Sequence, residues 1–136
     1  MNAAKRIFSL EEANALVPRL ESIFAKLAAK KQDYEKLHDH FFLHELLTEA
    51  GRDESAQDAL DSEARSLDES ILQLEKEIEE IRRLGCILRN IEKGWIDFFG
   101  ARDGQNVYFC WRRGEKTIQY YHPVENTRER LPLIPA

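Results

Sequence analysis

The side chains with the most versatile chemistry lie in one segment near the end of the chain, YFCWRRGEKTIQYYH at positions 108–122. This segment contains a thiol (Cys110), a carboxylate (Glu115) and an imidazole (His122) among aromatic residues. Zinc sites use such groups but need about four ligands, and no second close pair accompanies these. A nucleophilic cysteine needs a base that a third group orients, and the sequence indicates no such group. We therefore predict no metal ligands here and assign no catalytic residues.

Strand pairing decides which of these groups become neighbours. Asp103-Gly104 is typical of a two-residue type I′ turn between antiparallel strands. A turn centred there places Asp97 opposite Cys110, and opposed residues share one face of a sheet. The face predicted to be open carries Trp95, Asp97, Phe99, Tyr108, Cys110 and Arg112. The face predicted to form the core carries Ile96, Phe98, Val107, Phe109 and Trp111.

The next turn, predicted at 113–116, decides the direction of His122. An even-numbered loop is favoured because it places further apolar and aromatic residues on the core face. Such a loop puts Tyr121 with Cys110 and His122 on the opposite face, whereas an odd loop or a bulge would bring Cys110 and His122 together. The residues predicted to bind a ligand are therefore Asp97, Tyr108, Cys110, Arg112 and Tyr121.

Two long helices are predicted to precede the sheet. Ser9-Leu-Glu-Glu12 is a capping box that begins the first helix, and Pro18 is expected to bend that helix. The second helix is predicted to begin near Asp53 or Ser55 and to end before Gly85. Within it, apolar residues recur at alternating intervals of four and three, which is typical of a coiled-coil seam. They are Leu60, Ala64, Leu67, Ile71, Leu74, Ile78 and Ile81.

After Gly85 the apolar period changes from that of a helix to that of a strand, which indicates an α+β fold. We predict a single domain over residues 1–136, with a long antiparallel two-helix hairpin at about 9–84. A three- or four-stranded antiparallel sheet follows at about 86–122, then an extended C-terminal arm at about 123–136. The strand candidates are 86–89, 95–101, 106–112 and 117–122.

Composition and charge argue against several classes of function. The formal net charge is −5, and residues 48–80 hold 12 acidic against 3 basic side chains, so nucleic acid is not an expected partner. No apolar run has the length of a membrane span, and the N-terminus lacks the apolar core of a signal peptide. Two cysteines without a CxxC pattern favour free thiols and a cytoplasmic location.

The end of the first helix combines histidines with an excess of apolar residues. His40 and His44 have the i, i+4 spacing of helical metal ligands, but no glutamate lies between them. We interpret this part, which also holds His38, as a helix end with polar and aromatic faces. The apolar residues are Phe41, Phe42, Leu43, Leu46 and Leu47. Because a two-helix hairpin buries only one stripe per helix, we predict that a homodimer covers the excess.

Several motifs together resemble an uncharacterised prokaryotic family catalogued as domain of unknown function 2203. They are FSLEEANALVP at 8–18, GWIDF at 94–98, RDG at 102–104, VYFCWR at 107–112, Gly114-Glu115 and Tyr121-His122. The resemblance spans nearly the whole chain and includes a closing Arg-x-Pro at 130–132, while Tyr121-His122-Pro123 replaces the family's usual Trp-His-Glu. It implies no activity and no cofactor. It implies that the positions to test first are Asp97, Cys110, Trp111, Glu115 and His122.

Three functional hypotheses follow from these features. The first is a non-enzymatic oligomerisation or interaction module, which the heptad seam and the excess apolar residues favour. The second is a small-molecule-binding protein or enzyme that uses Asp97 and Arg112 as polar anchors between aromatic walls. The third is a metal-binding protein with a site at Cys110 and either His122 or Glu115. The sequence defines neither a reaction nor a cofactor.

Overall fold

The computed structural model describes residues 6–126 and 129–134. The helices are Leu10–Ala15 (α1), Val17–Leu47 (α2) and Glu54–Arg83 (α3). The strands are Ile87–Asn90 (β1), Trp95–Arg102 (β2), Gln105–Arg112 (β3), Tyr120–Pro123 (β4) and Leu131–Pro132 (β5). The predicted α+β fold, with helices followed by an antiparallel sheet, is confirmed. The sheet has five strands where three or four were predicted, because part of the C-terminal arm joins it.

The chain divides into two compact units. The sheet unit contains Met1–Phe24 and Glu79–Ala136, and the hairpin unit contains Ala25–Ile78. The single domain expected from the sequence stays a prediction. Among the residues that the structure describes, none of the helices has an apolar stretch suited to crossing a bilayer.

The first helix begins as the sequence predicts. The Ser9 side chain accepts a hydrogen bond from the Glu12 amide, and the Glu12 side chain accepts one from the Ser9 amide. Near Pro18 the predicted first helix is interrupted and not merely bent. It is divided into α1, which ends at Ala15, and α2, which begins at Val17, with Leu16 between them. Pro18 therefore lies in the first turn of α2, where a missing N–H removes no intrahelical hydrogen bond.

The hairpin unit is formed by the rest of α2 and most of α3, which run antiparallel. Lys30 pairs with Glu77 at 2.8 Å, and His44 lies 2.6 Å from Glu63, so residues later in α2 meet residues earlier in α3. The start of α3 is capped because the Asp53 side chain accepts a hydrogen bond from Ala56 N–H at 2.8 Å. The predicted seam is only partly buried, since Leu60 is 2% exposed and Ile71 is 38% exposed. Coiled-coil packing stays a prediction.

The five strands are antiparallel and lie in the order β1-β2-β3-β4-β5. Asp103 and Gly104 have φ values of 52° and 78°, as a type I′ turn requires, and Asp97 pairs with Cys110 as predicted. On the core face, Phe8 packs edge-on against Phe98 with centroids 5.1 Å apart. A Cβ at Gly100 would lie 2.5 Å from the Phe8 carbonyl oxygen, so this close approach requires glycine. The predicted core residues Ile96, Phe98, Val107, Phe109 and Trp111 are all buried.

The predicted pairing of β3 with β4 is wrong. The loop spans 113–119, an odd number of residues, and Tyr108 pairs with His122 while Phe109 pairs with Tyr121. His122 therefore lies on the Asp97 face and Tyr121 on the opposite one. The even loop is the one that places Ile118 and Tyr120 on the core face. In the structure Tyr120 pairs with Cys110 on the Asp97 face, and Ile118 is buried from within the loop, where its N–H donates to Asn14 Oδ1 at 2.7 Å.

Part of the C-terminal arm is held against β4. Tyr121 pairs with Leu131 in β5, and the Leu133 N–H donates to the Gln119 carbonyl at 2.8 Å. Arg102 Nη2 donates to the Leu133 carbonyl at 2.8 Å. Because β5 is held in this way, Arg130, the residue just before β5, also lies against the sheet. The other predicted arm residues, 127–128 and 135–136, lie outside the described part of the chain.

Candidate functional site

The centre of the candidate site is the carboxylate of Asp97, which has no exposed surface. Three side chains from three strands donate to it. Trp95 Nε1 lies 2.9 Å from Oδ1, and Arg89 Nε and His122 Nε2 each lie 2.8 Å from Oδ2. These bonds replace the water that a buried carboxylate loses, so the charge is stable inside the sheet unit.

His122 is enclosed almost completely, with 1% of its side chain exposed. Its Nε2 faces the Asp97 carboxylate, and its Nδ1 lies 3.3 Å from the Pro123 carbonyl oxygen. The ring of Tyr108 lies 5.2 Å away and that of Trp95 6.4 Å away, measured between centroids. Since a carboxylate only accepts hydrogen bonds, Nε2 carries a proton and the ring is fixed in orientation.

A second network surrounds Cys110 on the same face. Arg130 Nε donates to Cys110 Sγ at 3.4 Å, and Arg130 Nη2 donates to Glu115 Oε1 at 2.6 Å. The same carboxylate oxygen accepts the Arg112 N–H at 2.7 Å, which anchors the 113–119 loop. The Arg130 guanidinium also lies 4.0 Å from the centroid of Tyr120. Cys110 and Glu115 are thus linked through Arg130, whereas His122 belongs to the Asp97 network.

The thiol of Cys110 is not activated in this setting. Burial raises its pKa above the ordinary value, and the hydrogen bond from Arg130 only partly opposes that effect. Because the thiolate is the reactive form of cysteine, a protonated buried thiol is a weak nucleophile and a weak metal ligand. The geometry therefore favours neither covalent catalysis nor a metal site at Cys110.

Three arginines converge on this face of the sheet. Arg89 lies where a β-bulge shifts the pairing between Leu88 and Asn90, and its guanidinium is 5.0 Å from the Tyr108 centroid. Arg112 lies 5.3 Å from the Trp95 centroid, and its Nε is buried without a hydrogen-bond partner. With Arg130 they outnumber the two carboxylates, Asp97 and Glu115. The face can therefore attract a small anion to its remaining N–H donors.

The structure separates the residues predicted from sequence into two groups. Tyr121 lies on the core side of the sheet, where the Arg102 guanidinium is 4.6 Å from its centroid. Trp111 also belongs to the core, although its Nε1 donates to the Glu115 carbonyl at 2.8 Å. The polar face brings together Asp97, Tyr108, Cys110, Arg112, Glu115 and His122. Sequence reasoning missed Arg89, Tyr120 and Arg130 as members of this face, and only Arg130 had a signal, in the closing Arg-x-Pro.

These features define an α+β protein whose antiparallel sheet carries a buried ionic network on one face. The model of the family DUF2203, described as an uncharacterized conserved protein, matches residues 6–133. The chain therefore belongs to this family, and the resemblance drawn from its motifs is confirmed. Comparisons with curated proteins and with solved structures gave no significant match.

Removing the central carboxylate tests how far the sheet depends on it. We expect Asp97→Ala to lower the free energy of unfolding by about 3–5 kcal/mol, because three partners, Arg89, Trp95 and His122, lose their acceptor. Urea unfolding followed by tryptophan fluorescence measures this effect, since both tryptophans lie in the sheet unit. Glu125→Ala removes an equal charge from an exposed position and should change stability by less than about 0.5 kcal/mol. Equal effects of the two substitutions would contradict the role given to Asp97.

The second buried thiol, Cys86, predicts how stability changes at alkaline pH. Burial raises its pKa from 9.0 to about 12. The unfolded chain therefore loses this proton more readily, and the stabilisation present below pH 9.0 is lost as the pH rises towards about 12. We expect the wild type to lose up to about 1.4 kcal/mol per pH unit more than Cys86→Ala does in this window, measured by urea unfolding. Ile81→Val, which trims a neighbouring buried side chain without removing an ionisable group, should keep the wild-type slope.

Proposed function

We propose that this protein is a homo-oligomerisation module in which the hairpin unit packs against a second copy of the same chain. The supporting observation is an exposed apolar stripe on α2, formed by Phe42, Leu43, Leu46 and Leu47. Their exposed fractions are 56%, 55%, 51% and 76%. The spacing i, i+1, i+4, i+5 places them along one side of the helix. A stripe of large apolar side chains in water favours association.

The hairpin unit buries few hydrophobic side chains of its own, too few to offset the cost of leaving the apolar stripe exposed to water. Within residues 25–78, all of which are described, the buried hydrophobic side chains are Leu27 and Leu60. Helices of this kind depend on packing of an apolar face for their stability. Covering the four residues of the stripe is worth roughly 3–6 kcal/mol per chain, at about half of the usual value for a fully buried large side chain. A second copy supplies that cover and completes a helical bundle.

Charge supports a second copy as the occupant of the stripe. The α2 part of the hairpin unit, residues 25–47, has four lysines and four acidic residues, so its net charge is zero. The α3 part, residues 54–78, has two basic and eight acidic residues, so its net charge is −6. Two copies that meet through α2 bring together neutral surfaces and leave the acidic helices towards solvent. Association through α3 would place like charges together.

The oligomer is tested by sedimentation velocity at micromolar concentration. We expect the wild type to sediment as a dimer and Leu47→Glu to sediment as a monomer, because each interface would gain two buried carboxylates. Leu47 is 76% exposed, so the substitution should leave the helicity of the chain unchanged, as circular dichroism would show.

A matched control is available on the other helix. Leu72 lies on α3 outside the stripe and is 56% exposed. Leu72→Glu adds the same charge, and we expect this variant to remain a dimer. A monomeric wild type, or a Leu47→Glu variant that dimerises as the wild type does, overturns the proposal.

The polar face of the sheet supports a second candidate function, the binding of a small anion such as a carboxylate or phosphate compound. The specific observation is the buried and unpartnered Nε of Arg112 beside the Trp95 ring. A convergent set of guanidinium donors in an aromatic setting is typical of anion recognition. Asp97 and His122 serve in this site by positioning the arginine and aromatic side chains around them.

Thermal shift measurements with inorganic phosphate and with malonate test the anion site. Ligand at about 100 times its dissociation constant should stabilise the folded wild type by about 2.7 kcal/mol. Arg112→Met keeps an unbranched aliphatic side chain at this position but removes the guanidinium that lies over Trp95, so we expect this shift to disappear. Arg113→Met removes an exposed guanidinium next in the chain and should retain the shift. No shift of the wild type with either anion would exclude both as ligands of this face.

A further inference from the structure

We propose that His40, His44 and Glu63 form a binding site for a first-row divalent metal ion, with Zn²⁺ the ion that best matches their donor set. The three residues lie within the hairpin unit, two on α2 and one on α3. This site does not depend on the sheet face, and its proposal does not rest on oligomerisation.

The three side chains already present their ligand atoms to one another. One ligand atom from each lies within 4.8 Å of the other two. His40 Nε2 is 2.7 Å from Glu63 Oε1, and His44 Nδ1 is 2.6 Å from Glu63 Oε2. Glu63 on the neighbouring helix therefore adds a carboxylate ligand to the two imidazoles. The i, i+4 spacing places both imidazoles on the side of α2 that meets Glu63.

The contact between His40 and Glu63 has a feature that an ordinary ion pair does not explain. Glu63 Oε1 is buried and accepts no hydrogen bond of acceptable geometry, although His40 Nε2 is only 2.7 Å away. The ring nitrogen is close to the oxygen but does not direct an N–H towards it. A buried carboxylate oxygen without a donor is unfavourable. A cation between these atoms would accept electron pairs from both and remove that cost.

The donor set matches the chemistry of zinc. Two imidazole nitrogens and one carboxylate oxygen form a three-ligand set that leaves one position open for water or another ligand. Tetrahedral coordination at about 2.0–2.1 Å places ligand atoms about 3.3 Å apart. The imidazole–carboxylate contacts of 2.7 Å and 2.6 Å must therefore lengthen by roughly 0.6–0.7 Å, and no other pair of ligand atoms within the 4.8 Å limit has to close by more than about 1.5 Å. His40 has 72% of its side chain exposed, so little packing opposes the small movement that coordination requires. His44 and Glu63, with 28% and 20% exposed, provide the fixed part of the site.

The net charge of the hairpin unit favours the binding of a cation. Residues 25–78 contain 14 acidic and 7 basic side chains, which gives a net charge of −7. A negative potential of this kind raises the local concentration of divalent cations. Binding requires deprotonated imidazole nitrogens, so metal uptake releases any protons that they carry.

Isothermal titration calorimetry of the full chain, purified without a histidine tag, tests the site with Zn²⁺ alone. We expect one equivalent per chain in the wild type. Co²⁺ should compete for the same site and show the intense visible absorption of low-coordinate cobalt. His44→Ala and Glu63→Gln should each weaken Zn²⁺ binding by more than about 100-fold, because even loss of outer-shell partners weakens metal binding by about 10- to 100-fold.

His38→Ala is the matched control, because His38 lies on the same helix with 54% of its side chain exposed and is not one of the three ligands. This variant should bind Zn²⁺ as the wild type does. Circular dichroism shows whether each variant keeps its helices, and Glu63→Gln preserves side-chain size if His44→Ala does not fold. The proposal is overturned if the wild type binds no Zn²⁺, or if folded Glu63→Gln binds it with wild-type affinity. It is also overturned if His38→Ala loses binding, since the metal would then be held at other surface histidines.

Discussion

The buried carboxylate of Asp97 imposes the constraint around which the sheet unit is arranged. An ion with no exposed surface must find donors within the fold, and Asp97 obtains them from Arg89 on β1, Trp95 on β2 and His122 on β4. A shift of β4 by one residue would turn the imidazole to the other face and leave the carboxylate short of a donor. The odd length of the 113–119 loop is therefore coupled to the hydrogen bonding of a residue on a different strand. The same register places the Tyr108 ring against the imidazole.

The parts of the fold that sequence analysis predicted depend on residues close together in the chain. The capping box of Ser9 and Glu12 and the turn at Asp103-Gly104 are of this kind, because neighbouring residues alone determine their backbone conformation. The start of β4 was predicted wrongly because it depends on distant residues. Ile118 is buried in the loop, where its N–H donates to Asn14, 104 positions away, and no local sequence pattern indicates such a long-range contact. The strand β5 was likewise not predicted, because it has only two residues and one of them is a proline, which is unusual within strands.

The candidate site was predictable to the same limited extent. The turn alone placed Asp97 beside Cys110, whereas the position of His122 required the parity of a second loop. Arg89 reaches Asp97 from a bulge, and Arg130 reaches Cys110 only because the arm folds back on β4. In the hairpin unit, the spacing of two histidines was visible in the sequence. Their carboxylate partner was not, because the register of two packed helices follows from side-chain packing along their whole contact.

The two units use their side chains in ways that favour different roles. Buried ion pairs seldom stabilise a fold more than apolar groups of the same volume, so a network such as that of Asp97 is not explained by stability alone. The sheet face adds a buried Arg112 Nε without a hydrogen-bond partner, which is unfavourable in itself and supports the anion-binding proposal. The hairpin unit differs from the sheet unit in that it buries few hydrophobic residues and leaves its apolar stripe exposed to solvent. Recognition of an anion therefore fits the sheet, and association with a second chain fits the helices.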